Sequence, residues 1–271
     1  MSDQATELRQ LVRAATKPAA TLAPPPRLIV VCGGKGGVGT TTIAVNLAVA
    51  LAQRGVSVVL ADADFRGADA ALLCGVHQRF SMAEVLAGRR SAEDVLQTAP
   101  AGVRLLPGVW ANEVTAQCSP AAGQRVIDEL RGLAAVARVV VLDVGSGLSR
   151  VIHHFWQAAD EVLLVTTADS LAIMDSYAAV KVHRTSDSTA PLGVVVNRAT
   201  ERQAADVCGR LAQAGRRFLG TAIRAAGHVA VSPEVAEAAR LGRPLMLEYP
   251  HSEPAHDIRR LSKRIQKEKN D

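Results

Sequence analysis

Aromatic side chains are scarce in this chain of 271 residues: two Trp, two Tyr and four Phe, 3% of the whole. That scarcity excludes a core built on large rings and leaves the packing to Ala, Val and Leu. Cysteine is also thin. Cys32, Cys74, Cys118 and Cys208 lie far apart with no CxxC pair, which argues against a zinc or iron–sulfur site and for reduced thiols in a cytosolic protein. No apolar run approaches the roughly 18 residues of a membrane span, and the N-terminus lacks the apolar stretch of a signal peptide. A strong charge of one sign is missing too. The net +5 permits contact with nucleic acid or anionic lipid and requires neither.

Apolar residues make up 48% of the chain, enough for one large α/β domain or two small ones. Residues 1–16 carry a short helical pattern, with Leu8, Leu11, Val12 and Ala15 at i, i+3, i+4 and i+7. Residues 17–26, from Lys17-Pro18 to Pro24-Pro25-Pro26, cannot continue a helix and read as an extended tether. From 27 to 271 strand and helix patterns alternate. The apolar runs at 28–32, 57–61, 103–106, 138–142, 161–166 and 192–196 predict buried parallel strands, most of them separated by amphipathic stretches. Such βαβ order predicts an α/β fold with a doubly wound, mostly parallel sheet flanked by helices. Ser81-Met82-Ala83-Glu84 has capping-box spacing, and Ser232-Pro233-Glu234 puts Pro at a first helical position. The stretch 254–269 is helical and rich in Arg and Lys. Its apolar stripe of Ile258, Leu261 and Ile265, with no bulky anchor beside it, predicts packing on the domain rather than burial in a membrane surface.

Between the first strand and the first long helix stands Gly34-Lys35-Gly36-Gly37-Val38-Gly39-Thr40-Thr41-Thr42. A glycine-rich loop in that position lets consecutive backbone N–H groups curl around a phosphate, aided by the helix N-terminus. By spacing, Thr41 supplies the hydroxyl that ligates Mg²⁺. One residue departs from G-x-x-x-x-G-K-[ST]: position 40 is Thr, not Lys. Loss of one charge-assisted hydrogen bond weakens binding by roughly 1.5–3 kcal/mol, about one to two decades of affinity. Binding survives that loss more readily than turnover, because the lysine also stabilises charge in the transition state. Asp62 and Asp64 follow the second strand, Asp143 ends VVVLD and Asn197 ends GVVVN. The carboxyl ends of such strands face the ligand crevice.

The loop resembles the deviant phosphate loop, KGGxGK[ST], of the MinD/ParA ATPases. The resemblance implies ATP and Mg²⁺ as ligands and an ATP-dependent homodimer in which Lys35 reaches the partner's nucleotide. It implies that Asp64 positions the attacking water, that Asp62 and Asp143 support the metal with Thr41, and that Asn197 contacts adenine. The N-terminal Asp3-Gln4-Ala5-Thr6-Glu7-Leu8-Arg9 resembles the DQAxxLR motif of the FlhG (FleN, YlxH) proteins, regulators of flagellar number. That likeness makes Asp3, Gln4, Ala5, Leu8 and Arg9 a contact surface for an FlhF-type GTPase. It points to a cytoplasmic protein, recruited through partners to the cell pole or inner membrane surface, with flagellar basal-body or transcription proteins as further targets. Two other classes stay open. One is a non-hydrolysing scaffold for polar assembly, favoured by Thr40. The other is a ParA-like DNA-partitioning ATPase using Arg259, Arg260, Lys263 and Arg264, against which the N-terminal motif speaks.

Overall fold

A computed structural model describes residues 23–65, 67–109, 120–147, 150–185 and 188–267. The expected helix at 1–16, with Asp3, Gln4, Ala5, Leu8 and Arg9, lies outside the described residues, as do the first part of the tether and Cys118. Pro24, Pro25 and Pro26 carry neither helix nor strand.

All six apolar runs form strands: β1 (Arg27–Gly33), β2 (Val58–Asp62), then β4 (Arg104–Leu106), β5 (Val139–Ser146), β6 (Glu161–Thr166) and β7 (Leu192–Asn197). Two strands were not anticipated, the two-residue β3 (Gln97–Thr98) and β8 (Ile223–Val229). The sheet order is β3-β4-β2-β5-β1-β6-β7-β8. Only the β3–β4 pair is antiparallel. The apolar β1 lies in the middle, between β5 and β6, where a strand is covered on both faces.

Around the sheet stand the helices α1 (Thr40–Ala52), α2 (Asp69–Leu73), α3 (Met82–Leu86), α4 (Ala92–Val95), α5 (Pro120–Arg131), α6 (Arg150–Ala158), α7 (Ser170–Thr185), α8 (Glu201–Ala214), α9 (Pro233–Arg240), α10 (Leu245–Glu248) and α11 (Glu253–Lys267). Because strand side chains alternate, β1 feeds two cores. Leu28, Val30 and Cys32 join Phe155 and Trp156 on one face, while Ile29 and Val31 join Ile43, Leu47 and Leu51 of α1 on the other. The second core also takes Ile258, Leu261 and Ile265 of α11. Each is at most 2% exposed, and burial of one such side chain contributes about 1.5–3 kcal/mol. The stripe on the basic helix therefore packs on the domain. Among the described residues no helix is long and apolar enough to cross a membrane.

Local signals were followed less closely. Ser81 caps α3 by accepting from the Ala83 amide, without the reciprocal half of a capping box. Full boxes form at Ser91–Asp94 and Thr200–Gln203. Ser232 does precede Pro233 at the start of α9, with no side-chain cap.

Candidate nucleotide-binding site

β1 ends at Gly33 and α1 begins at Thr40, so residues 34–39 form a loop at the carboxyl edge of the sheet. Gly39, at φ 92°, turns the chain into α1. No side chain caps that helix, and its first turn carries no acid. Its first N–H groups therefore keep no side-chain partner, and the helix dipole adds partial positive charge there. Together these make an anion seat. Gly34 is required by close approach: a Cβ there would stand 2.7 Å from the backbone of Asp175 and Ser176 in α7. The loop is thus wedged against α7. Gly36, Gly37, Gly39, Thr40, Thr41 and Thr42 line an open cleft, with Asp64, Gly145 and Ser146 across from them.

The three aspartates occupy different depths. Asp64 lines the cleft. It lies so close to Gly145, at φ 63°, that a Cβ on that glycine would collide with its carboxylate. Asp62 and Asp143 face each other in register on β2 and β5 and are both fully buried. Asp62 accepts hydrogen bonds from the amides of Asp64 (3.1 Å) and Ala70 (3.1 Å), so it holds the loop that carries Asp64. Burial first, then the Asp143 charge, pushes its carboxyl well above the usual range. Asp143 is pushed up to about 7, mainly by burial, while the Thr41 hydroxyl and the Gly145 amide pull the other way. Its Oδ1 accepts from the Gly145 amide at 3.0 Å. Its Oδ2 is buried without a hydrogen-bond partner, while the Thr41 hydroxyl stands near enough to the carboxylate to favour its charged form.

A buried, unpaired carboxylate oxygen next to a threonine hydroxyl and an anion seat fits a hard divalent cation, which takes oxygen ligands. Such a cation would also remove the cost of two facing buried acids. These residues fit Mg²⁺; Asp62, with both oxygens engaged by amides, stands behind them.

Lys35 and Asn197 lie at the edges of the loop. Lys35 Nζ is 3.6 Å from Asp169 Oδ1, just before α7, and both side chains are well exposed. Asn197 is buried, its Nδ2 donating to the Val38 carbonyl at 2.8 Å and its Oδ1 accepting from the Arg198 amide at 2.9 Å. In this structure Asn197 buttresses the phosphate loop. Arg198, which also lines the cleft, was not singled out from sequence.

Residues 29–244 match the family described as the CobQ/CobB/MinD/ParA nucleotide binding domain. The chain belongs to this family. Within it the chain sits with the FlhG (FleN/YlxH) members. It is 30% identical to the antiactivator FleN of Pseudomonas aeruginosa over 89% of this chain and 86% of that protein. To the flagellum site-determining protein YlxH of Helicobacter pylori it is 32% identical, over 58% of this chain and 53% of that one. The cell division ATPase MinD of Pyrococcus furiosus superposes with a TM-score of 0.75 at 26% identity, covering 89% of this chain and 98% of that chain. The septum site-determining protein MinD of Pyrococcus horikoshii, solved with Mg-ADP, gives 0.75 at 24% identity, covering 90% and 97%. The doubly wound sheet expected from the strand and helix pattern, and the MinD/ParA fold implied by the phosphate-loop resemblance, are both observed.

Proposed function

We propose that the chain is an ATP- and Mg²⁺-operated regulator of flagellar number or placement, acting as a nucleotide-dependent dimer in the cytoplasm. The flagellar role follows the names of its FleN and YlxH relatives. The observation that carries the chemistry is the buried, unpaired Oδ2 of Asp143 beneath an uncapped helix start.

In this reading the amides from Gly36 to Thr42 hold the polyphosphate, and Thr41 and Asp143 hold Mg²⁺. The ion supplies charge neutralisation on the phosphate oxygens. Asp64, in the cleft and pinned against Gly145, orients water for attack on the terminal phosphate. Asn197 stays on the loop and turns its remaining N–H toward the base. Lys35, held at the surface by an exposed partner, is available to cross to a second subunit's nucleotide. The residues Asp3 to Arg9 engage an FlhF-type GTPase, with basal-body or transcription proteins as further outputs and recruitment to the pole through them.

A second reading is a non-hydrolysing scaffold, favoured by Thr40 in the lysine's place. The test measures ATP binding and turnover by the purified full chain beside Thr40→Lys and Asp64→Ala. Slow wild-type turnover that Asp64→Ala abolishes supports the switch. Binding without turnover until Thr40→Lys restores it supports the scaffold. A wild type that binds no ATP defeats the nucleotide reading.

A further inference from the structure

Thr40 removes the cation that the phosphate loop would carry, and the Thr40 side chain does not fill its place. Thr40 is 6% exposed, and its hydroxyl is folded back over the end of β1, 2.6 Å from where a Cβ on Gly33 would stand. Lys35 does not line the cleft and rests on Asp169. Among the described residues lining the cleft, which include Asp64 and Asp69, Arg198 is the one cation.

The backbone at Arg198 is unusual in a way that favours this reading. Its φ is 54°, one of two positive values at non-glycine residues among those described. Glycine or asparagine would take that conformation at less cost, and retention of a large side chain in such a position points to a use for the side chain. The cause of the conformation is visible. Asn197 is fixed to the loop through Val38, its Oδ1 holds the Arg198 amide, and the Ala199 amide returns to the Val229 carbonyl at 3.1 Å. Clamped between those anchors, Arg198 lines the same cleft as Gly39 and Thr40. Its backbone is thereby tied, through the Asn197 side chain, to the loop that cradles the phosphate. No ion pair holds the guanidinium elsewhere in the described structure.

We propose that Arg198 supplies, within the same subunit, the phosphate-directed cation that position 40 lacks. A guanidinium suits this, because it stays charged and offers paired N–H donors to phosphate oxygens. The inference rests on the nucleotide reading above and goes one residue further.

The test uses the full chain with Mg²⁺ and compares ATP, ADP and AMP affinities by calorimetry. Arg198→Gly and Arg198→Asn remove the cation while accepting the left-handed backbone, so the ligand-free melting temperature should not fall. ATP affinity should drop roughly ten- to a hundredfold, ADP affinity less and AMP affinity least. Arg198→Lys should recover part of the loss, and Thr40→Lys in the Arg198→Gly background should recover most of it. If wild type binds ATP and the Gly and Asn variants bind it equally well, Arg198 has no such role. Equal loss for all three nucleotides, or loss that neither lysine repairs, would mark a base-side or structural residue and overturn the proposal. A wild type that binds no nucleotide at all would instead sink the nucleotide reading itself, and this inference with it.

Discussion

Buried carboxylates stand at both ends of the central sheet, and the two ends treat them in opposite ways. At the amino end Glu161 opens β6 with a side chain only 2% exposed. Arg27 donates to it at 2.5 Å, and Arg224 donates to its other oxygen. At the carboxyl end Asp62 and Asp143 face each other with no ion-pair partner among the described residues, and both are driven toward the neutral form by burial. The first arrangement is self-sufficient as folded: each carboxylate oxygen takes a guanidinium inside one subunit. The second is not. An acid pair left facing itself stores a penalty that a bound cation removes, so the sequence has kept local instability where a ligand belongs.

The comparison breaks most visibly at Glu161. Glu161→Ala leaves two largely buried guanidinium groups without their carboxylate. Removal of one partner from a buried pair costs about 3–5 kcal/mol, and partial exposure of Arg27 and Arg224, 17% and 29%, puts the loss near the lower figure. Urea denaturation should show that loss, with ATP affinity of the folded protein unchanged. A loss below about 1 kcal/mol would put Glu161 in the class of surface pairs.

Asp143→Asn should act in the reverse sense. The amide keeps an oxygen for the Gly145 N–H and deletes the buried charge. Mg²⁺-dependent ATP binding should weaken ten- to a hundredfold, the loss of a charge-assisted contact. Stability should rise, with a definite pH signature. The folded-state pKa of about 7 lies above the unfolded value near 3.8. Between those values the folded state binds more protons, so wild type loses stability as pH rises. The variant has no such group, and its advantage in melting temperature should open from about pH 4 and be complete just above pH 7. A constant difference across that range would show that Asp143 titrates normally.

Gly145→Ala probes the glycine that Asp64 leans on. Any Cβ there meets the Asp64 carboxylate, and the left-handed backbone adds about 1–2 kcal/mol of strain. Asp64 must move, so turnover should fall while Mg²⁺-ATP affinity changes little. Parallel loss of both would place Gly145 in the binding seat instead.

How much of this was legible in the sequence depended on whether the cause was local. Six strands could be read because a strand buried on both faces is a continuous apolar run, as in Leu28 to Cys32. β8 was missed because it is an edge strand. Ile223-Arg224-Ala225-Ala226-Gly227-His228-Val229 buries only Ile223, Ala226 and Val229, and its register slips opposite Val194 and Val195. The phosphate loop was legible because backbone chemistry fixes its spacing, and the position of Asp64 and Asp143 toward the crevice because each follows or ends an apolar strand run. The wedge of Gly34 against α7, the hold of Asn197 on Val38 and the entry of Arg198 into the cleft were not. Each joins residues more than a hundred positions apart, and one chain carries no record of such meetings. Ser81 misled because a capping box needs its glutamate to fold back, and Glu84 instead bonds Arg89 at 2.8 Å.

The smallest effect belongs to the exposed counterpart of both ends, the Lys35–Asp169 pair. At 3.6 Å, with the side chains 39% and 51% exposed, it is screened by water and contributes little to folding. Asp169 also acts on α7 directly, because its Oδ1 accepts from the Ala172 amide at 2.9 Å and caps that helix. The Thr167 hydroxyl, then that amide, hold its carboxyl below the usual range, with Lys35 a weaker influence. Asn caps a helix as well as Asp does, so Asp169→Asn removes the charge facing Lys35 and keeps the cap. Its melting temperature should match wild type. If Lys35 is to reach a second subunit's nucleotide, it must leave Asp169 first, so ATP-dependent dimerisation followed by light scattering should tighten a few-fold. Unchanged dimerisation would mean that the pair does not restrain Lys35. A lowered melting temperature would mean that this exposed pair supports the fold after all, and the contrast between a self-sufficient amino end and a ligand-dependent carboxyl end would have to be redrawn.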